Sequence, residues 1–245
     1  MKYKISAVSY ANTYPFLYGL KKSSIIDTID LSLDYPSDCA KKLINNQVDI
    51  GLVPVAIIPQ LKEHYIISDY CIGAEGKVKS VLLLSDVPLH EIKTVLLDYQ
   101  SKTSINLTKV LAKHFWNIQP QWEEAEEGFE NTIKNSTAGV IIGDRTFNLS
   151  KNYSYVYDLA EEWQKFSGLP FVFACWVSNK KITPNFIKEF NEAIGVGVYN
   201  ISSVLDFYAI ENEKKLELLN YLTNNISYLL TDNKRKAIKK FLDLV

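Results

Sequence analysis

The first third of the chain alternates strand patterns with helical patterns, and no other feature constrains its fold as strongly. Lys4 to Val8 and Ile29 to Asp34 have the spacing of strands, and Asp49 to Val53 is a short apolar run typical of a buried strand. Helical patterns separate them, from about Pro15 to Leu20 and again after Ser37, which can cap the second helix. Strands that alternate with helices predict a mainly parallel sheet in an α/β fold.

Further strand patterns follow, and helical patterns then dominate the end of the chain. The later strands are expected over Val78 to Leu84, Thr94 to Leu97, Ala138 to Ile142 and, as the last strong one, Val172 to Val177. Helices are expected over Pro184 to Tyr208, Glu213 to Asn224 and Asp232 to Leu244.

Two of these strand runs flank a complete strand–helix–strand block, which indicates an inserted domain. The sequence therefore predicts a discontinuous first lobe, residues 1–85 plus 175–245, and a second lobe, residues 86–174, inserted into it. Two crossing segments would form a hinge, and the cleft between such lobes is a natural small-molecule site. A single continuous doubly wound domain is the alternative interpretation.

Composition narrows the classes of partner and compartment. The formal net charge is −1 and no basic stripe accompanies the aromatic residues, so neither nucleic acid nor a membrane surface is expected as a partner. No apolar run is long enough to span a bilayer, and no secretory signal opens the chain. Cys39, Cys71 and Cys175 are far apart and form no CxxC motif, which is typical of buried thiols in a reducing compartment. We therefore expect a cytoplasmic protein.

Most catalytic motifs are missing from the sequence. His64, His90 and His114 are isolated, and no recognised ligand spacing surrounds them, so no metal site is expected. Neither a Walker loop nor GxGxxG occurs, and GxSxG is also lacking, so neither a nucleotide cofactor nor a serine hydrolase is indicated.

The segment Ser9–Pro15 is the first candidate binding loop. It connects the first strand pattern to a helix start, which is where open α/β sheets place ligands. The amide of Asn12 can both donate and accept hydrogen bonds, which suits an oxygen-rich ligand. The alternative interpretation is that Asn12 and Thr13 only form a turn and a helix cap.

Two further polar segments are candidates. Ser101–Ser104 lies between a strand and a helix start, where free N–H groups favour an anion; capping explains one hydroxyl, expected to be that of Thr103 or Ser104. Ser80 interrupts an apolar strand, so its hydroxyl needs either a ligand or a backbone carbonyl as partner. Asp144 follows a buried strand, but a pair with Arg145 or a helix cap is favoured over a catalytic base.

Taken together, seven segments in order resemble the chorismate dehydratases of the futalosine route to menaquinone. These segments are Ser9–Pro15, Asp49–Pro54, Gly76–Val81, Leu97–Ser104, Ile142–Asp144, Tyr157–Leu159, and Glu162–Trp163 with Gly168–Ala174. The resemblance implies a two-lobed α/β fold similar to type II periplasmic binding proteins, with mixed, mainly parallel sheets, flanking helices and a helical C-terminal tail. It also implies that chorismate loses water to give 3-[(1-carboxyvinyl)oxy]benzoate without any cofactor.

The resemblance further implies which residues form the site. Asn12 would orient the substrate and hydrogen-bond the departing hydroxyl or a carboxylate, and Ser80 would stabilise the charged intermediate or position a carboxylate. The expected substrate-binding residues are Ser9, Thr13, Pro54, Ser101, Thr103, Ser104, Gly143 and Asp144. The chain departs from the family pattern where Tyr14 and Lys102 stand at positions that usually hold Arg, which weakens the expected grip on carboxylates.

Two other functions compete with this interpretation. The first is the dihydroxynaphthoate synthase of the same pathway, which shares the fold but acts on a cyclic futalosine derivative with a His as base. The second is a small-molecule binding protein without catalysis, since a fold does not determine a function. The sequence does not predict an oligomeric state.

Overall fold

The computed structural model describes residues 2–149 and 152–245 and groups them into two compact units. The first unit comprises the chain up to Gly73 together with Val172–Asp232, and the second comprises Ala74–Phe171 together with Asn233–Val245. The lobe boundaries predicted above, at residues 85/86 and 174/175, remain a prediction.

The helices and strands alternate along most of the chain. In the first half they are β1 (Tyr3–Val8), α1 (Tyr14–Lys22), β2 (Ile29–Asp34), α2 (Pro36–Ile44), β3 (Ile50–Pro54), β4 (Tyr65–Ala74), β5 (Val81–Ser85), β6 (Thr94–Leu97), α3 (Lys102–Leu111) and β7 (Gln121–Glu124). In the second half they are β8 (Thr137–Ile142), α4 (Thr146–Leu149), β9 (Tyr155–Asp158), α5 (Leu159–Ser167), β10 (Phe171–Ser178), α6 (Pro184–Val198), α7 (Ile201–Phe207), α8 (Asn212–Asn220), β11 (Ser227–Leu229) and α9 (Asp232–Leu244).

The sheet of the first unit brings three strand ends to one edge. Among the described residues its six strands have the order β11-β4-β10-β3-β1-β2. β1 pairs in parallel with both β2 and β3, whereas β10 is antiparallel to β3. Because parallel strands end at the same edge, Val8, Asp34 and Pro54 place the chain segments that follow them near one another.

The sheet of the second unit also collects loops at one edge. In the described part of the chain it has five strands in the order β7-β6-β8-β5-β9. β6 is parallel to β7 and β8, and β5 is antiparallel to β8 and β9. The carboxyl ends of β6 and β8 therefore lie at the same edge as the amino end of β5, which follows directly after Ser80.

Each unit has its own aromatic core. In the first, Phe16 lies 5.9 Å from Trp176 and 5.3 Å from Tyr228, measured between ring centroids. In the second, Trp163 of α5 packs edge-on against Phe241 of α9 at 6.1 Å. The C-terminal helix thus belongs to the core of the second unit.

Glycines let α1 and α6 approach very closely. A Cβ added at Gly19 would lie 2.0 Å from the carbonyl oxygen of Ala193, and one at Gly197 would lie 1.7 Å from that of Pro15. Side chains at these positions would separate the helices. This contact holds α1, which follows the Asn12 turn, against α6 within the first unit.

Several predicted element boundaries were wrong. Ser37 is not a cap, because Pro36 already takes the first helical position of α2 and Tyr35 precedes it. The helix expected up to Tyr208 is two helices, since Asn200 has a non-helical backbone between α6 and α7. The strands β4, β7, β9 and β11 were not anticipated. Val172–Val177, predicted as the last strong strand, lies within β10, and the later strand β11 has only three residues.

Candidate active site

The loop after β1 folds into a tight turn at the edge of the first sheet. The N–H of Ser9 donates to the carbonyl oxygen of Asp34 at 3.0 Å, and the N–H of Thr13 donates to that of Tyr10 at 3.0 Å. Ala11–Thr13 then form one turn of 3₁₀ helix that leads directly into α1. Ser9 is exposed, whereas Asn12 and Thr13 are buried.

Three neighbours restrain Asn12. Its side-chain amide donates to the hydroxyl of Tyr221 at 3.5 Å, its side-chain oxygen accepts from the hydroxyl of Thr13 at 3.2 Å, and its backbone carbonyl accepts from the hydroxyl of Tyr228 at 3.1 Å. Burial raises the pKa of Tyr228 well above its ordinary value, so this phenol is a neutral donor. Asn12 is therefore held in one orientation.

Sequence reasoning missed both tyrosines. Tyr221 and Tyr228 lie 209 and 216 residues after Asn12, in the π-helical turn Tyr221–Asn225 and in β11. No signal in the Ser9–Pro15 segment points to partners so far along the chain. The signal that was available is the run of polar and aromatic residues after α8, of which sequence analysis treated the part up to Asn224 as helix.

Two other predicted residues of this unit lie near the same edge. Pro54 is buried at the end of β3 and lies opposite Ala174 of β10. Tyr14, at the position where Arg was expected, stacks on Tyr208 with 4.4 Å between ring centroids. Burial raises the pKa of Tyr208 to about 12, which leaves that phenol neutral as well.

In the second unit, a buried carboxylate holds the turn that precedes Ser80. Asp158 accepts from the N–H of Val78 at 3.1 Å and from that of Lys79 at 2.7 Å. The same side chain caps α5 by accepting from the N–H groups of Ala160 and Glu161. Burial raises the pKa of Asp158 above its ordinary value, and these four N–H donors act in the opposite direction.

Ser80 itself is buried next to the end of β8. Its carbonyl oxygen accepts from the N–H of Gly143 at 2.9 Å. Lys79 before it has φ +63° and Gly143 has φ +72°, so two left-handed residues shape the turns at this edge. Asp144, which follows Gly143, is exposed, whereas Arg145 forms ion pairs with Asp98 and Glu130.

The start of α3 carries the buried hydroxyls predicted from sequence. Ser101 is the cap: its hydroxyl oxygen accepts from the N–H of Ser104 at 3.4 Å and from the Ser104 hydroxyl at 3.2 Å. The expectation that Thr103 or Ser104 would cap this helix was therefore wrong. Thr103 is buried within the first turn, and Lys102 is exposed.

The structure thus brings the predicted residues together within each unit. Ser9, Asn12, Thr13 and Pro54 share the edge of the first sheet, and Ser80, Gly143 and the start of α3 share the edge of the second. These groups offer amide, hydroxyl and backbone N–H donors, which suit a substrate with several oxygens. Within residues 2–149 and 152–245, no cluster of three or more His, Cys, Asp or Glu side chains is arranged to hold a metal ion.

No helix in the described residues combines the length and apolar character that crossing a membrane requires.

Comparison with known sequences gives a match over nearly the whole chain. A family described as "Menaquinone biosynthesis" matches residues 3–245. A chorismate dehydratase of Thermus thermophilus is 24% identical over 262 residues, covering 98% of this chain and 94% of that protein. A chorismate dehydratase of Campylobacter jejuni is 26% identical over 244 residues, covering 96% of this chain and 94% of that protein.

Comparison with solved structures identifies the fold. Protein AF1704 of Archaeoglobus fulgidus has a TM-score of 0.76 at 12% identity, covering 99% of this chain and 96% of that one. A Candida albicans protein described as having the generic periplasmic binding protein fold has a TM-score of 0.66 at 11% identity, covering 100% of this chain and 90% of that one. The two-lobed fold class predicted from the sequence is thereby confirmed.

Proposed function

We propose, since this chain belongs to the menaquinone biosynthesis family, that it is a chorismate dehydratase. It would eliminate water from chorismate to give 3-[(1-carboxyvinyl)oxy]benzoate. The observation that carries this proposal is the similarity to two chorismate dehydratases across 98% and 96% of the chain. The family match, over residues 3–245, includes both compact units and every segment with a candidate site residue.

The chemistry requires positioning more than a strong base. The hydrogen that leaves is on the ring carbon bearing the enolpyruvyl ether, and a carbanion there is delocalised into the ring carboxylate. Loss of the neighbouring hydroxyl then makes the ring aromatic, which drives the elimination. The proton and the hydroxyl together account for the water, so the reaction involves neither an external oxidant nor a reductant.

We assign the proton acceptor to the substrate itself. The enolpyruvyl carboxylate is attached to the reacting carbon through its ether oxygen and can reach the departing proton. The protein would then hold the two substrate carboxylates, stabilise the developing charge and exclude water. Neutral donors suit this task because they stabilise negative charge without themselves changing protonation state.

The two catalytic side chains are proposed to share this work. Asn12, restrained by Tyr221, would orient the substrate and hydrogen-bond the departing hydroxyl or a carboxylate. Ser80, buried beside Gly143, would stabilise the charged intermediate. Support for both comes from their burial and from the rigid turns that hold them.

The start of α3 is proposed to bind a substrate carboxylate. Its first N–H groups and the positive end of the helix favour an anion, and Ser101 and Ser104 add hydroxyls. Thr103, Gly143 and Asp144 are proposed as further substrate-binding residues of the second unit. In the first unit, the proposed substrate-binding residues are Ser9, Thr13 and Pro54.

A small molecule is the proposed partner, and the cytoplasm is the proposed compartment. The three cysteine side chains are all buried, as suits a protein kept in a reducing environment. Fractionation of cells followed by an activity assay for chorismate dehydration tests the compartment.

Parallel incubations with two substrates test the function. The protein is mixed with chorismate and, separately, with the cyclic futalosine derivative used by dihydroxynaphthoate synthases, and the products are identified by mass spectrometry. We expect chorismate to lose one water and the futalosine derivative to remain unchanged. Turnover of the futalosine derivative instead, or binding of chorismate without any change in its mass, would refute the proposal.

A further inference from the structure

Asp98 is a fully buried carboxylate at the end of β6 that the proposed chemistry does not use. Its side chain has 0% exposure. One oxygen accepts from the N–H of Gln100 at 2.9 Å, and the other accepts from the N–H of Ile142 at 3.2 Å and from the guanidinium of Arg145. These contacts connect segments more than 40 residues apart in the sequence.

The donors belong to the two loops that carry the candidate substrate-binding residues of this unit. Gln100 immediately precedes Ser101, the cap of α3. Ile142 is the last residue of β8 and Arg145 ends the short turn Gly143–Arg145. One carboxyl group therefore connects the start of α3 with the Gly143 turn.

The surrounding charges make this arrangement stiff. Arg145 bonds Asp98 with one nitrogen and Glu130 with the other, so its planar fork is held from two sides. Burial acts to raise the pKa of Asp98 above its ordinary value, while Arg145 and the two backbone N–H groups oppose that change. Removing the carboxylate would leave two backbone N–H groups buried without these acceptors, and the loops would have to move.

We propose that Asp98 is a positioning residue, which holds the start of α3 and the Gly143 turn at the separation that the substrate requires. This inference rests on the proposed function, because the two loops are those assigned to carboxylate binding. Asp98 would not touch the substrate; its effect would pass through the backbone of Gln100 and Ile142. In the sequence analysis, Asp98 appears only as part of the segment Leu97–Ser104 that contributes to the family resemblance.

The test compares Asp98→Asn with Glu130→Gln. Asp98→Asn keeps the size of the side chain but replaces one acceptor oxygen with a donor. Glu130→Gln weakens the other ion pair of Arg145 and leaves both loop N–H groups with their acceptor. We expect kcat/KM for chorismate to fall on the order of 100-fold in Asp98→Asn, mainly through a higher KM, and to change little in Glu130→Gln.

A second readout separates positioning from a general loss of structure. Amide hydrogen exchange is expected to become faster in residues 99–104 and 142–146 of Asp98→Asn, with the exchange of β6 and of residues 137–141 of β8 unchanged. If Asp98→Asn does not fold, Arg145→Lys takes its place. That variant keeps the positive charge but cannot bond Asp98 and Glu130 through a planar guanidinium. We therefore expect faster exchange in the same two loops and a higher KM, both by smaller amounts than in Asp98→Asn.

The outcomes distinguish this inference from the proposed function. Faster exchange in both loops together with a raised KM supports the positioning role. Unchanged exchange, or faster exchange in only one loop, overturns it whether or not chorismate is the substrate. If the unmodified protein fails to dehydrate chorismate, the proposed function is what fails, and the exchange pattern still decides the role of Asp98.

Discussion

Asn12 and Ser80 are buried polar side chains, and hydrogen bonds from other residues hold the loops on which they lie. Tyr221 and Tyr228 restrain Asn12, and Asp158 fixes the turn before Ser80. Burying a polar group costs free energy unless it is hydrogen-bonded, so these hydrogen bonds favour one conformation of each loop. At the residue scale the candidate residues are therefore neutral side chains on turns that buried hydrogen bonds hold in place.

Ser80→Ala is expected to lower kcat by about 100-fold or more while the protein stays folded, if the hydroxyl stabilises charge in the transition state. Ser85→Ala is the matched control. Ser85 is buried at the other end of β5, where its hydroxyl bonds the backbone of Val87. We expect Ser85→Ala to reduce the free energy of unfolding by about 1 kcal/mol with kcat unchanged. Equal effects of both variants on kcat, measured by steady-state kinetics, would remove Ser80 from the mechanism.

Asp34 gives a prediction about pH. Burial acts to raise the pKa of Asp34, but hydrogen bonds from Lys42, Ser6 and Ser32 outweigh it, and the pKa lies below its ordinary value of 3.8. The stability that Asp34 contributes is therefore present above that ordinary value and is lost as the pH falls through the lower pKa of the folded state. The free energy of unfolding, measured with urea at a series of pH values, should fall less steeply below about pH 4 for Asp34→Asn than for the unmodified protein. An equal fall in the free energy of unfolding of the two proteins would contradict this prediction.

At the scale of elements, tight turns at the sheet edges place the candidate residues. The turn after β8 depends on Gly143, whose φ of +72° favours glycine. The end of α5 has the same conformation at Gly168, with φ +71°. Strain at the first turn would move a loop of the candidate site, and strain at the second would not.

Gly143→Ala and Gly168→Ala form a matched pair for this reason. Each is expected to reduce the free energy of unfolding by about 1 kcal/mol, from backbone strain. Only Gly143→Ala should also lower kcat/KM for chorismate, because its N–H is bonded to the carbonyl oxygen of Ser80. Thermal unfolding and steady-state kinetics of the two variants check both statements. A loss of activity in Gly168→Ala as large as that in Gly143→Ala would show that strain alone accounts for the effect.

Local sequence patterns predicted the strands that have a regular apolar spacing within their own residues. The strand over Ile29–Asp34 and the strand over Thr94–Leu97 have the bounds read from the sequence. In contrast, β4 contains Ser68, Asp69 and Gly73, which interrupt its apolar run, and β11 has only three residues. These two strands pair with each other across more than 150 residues, and a local pattern does not contain that information.

The same limit applies to the candidate site. Polar residues at strand ends pointed to Asn12 and the start of α3, because the carboxyl ends of parallel strands are where α/β sheets place ligands. Ser80 was selected for a different reason, because it interrupts an apolar run. The groups that hold these loops, such as Tyr228 for Asn12 and Asp98 for the end of β8, reach them across more than 40 residues and only after the chain has folded. Sequence analysis therefore predicted the loops and could not predict what holds them.

At the scale of the whole molecule, the family match extends through both compact units. It covers residues 3–245, and the chain passes between the units after Gly73, Phe171 and Asp232. Each unit contributes one sheet edge with candidate residues, Asn12 at the first and Ser80 at the second. We therefore expect the activity to require the complete chain.

A single-turnover experiment with the enzyme in excess over chorismate tests the central claim most directly. The small-molecule products formed by the unmodified protein and by Asn12→Ala are separated and identified by mass spectrometry. We predict that the unmodified protein converts all the chorismate to the product lacking one water, and that Asn12→Ala returns chorismate intact. Recovery of unchanged chorismate from the folded, unmodified protein would contradict the account.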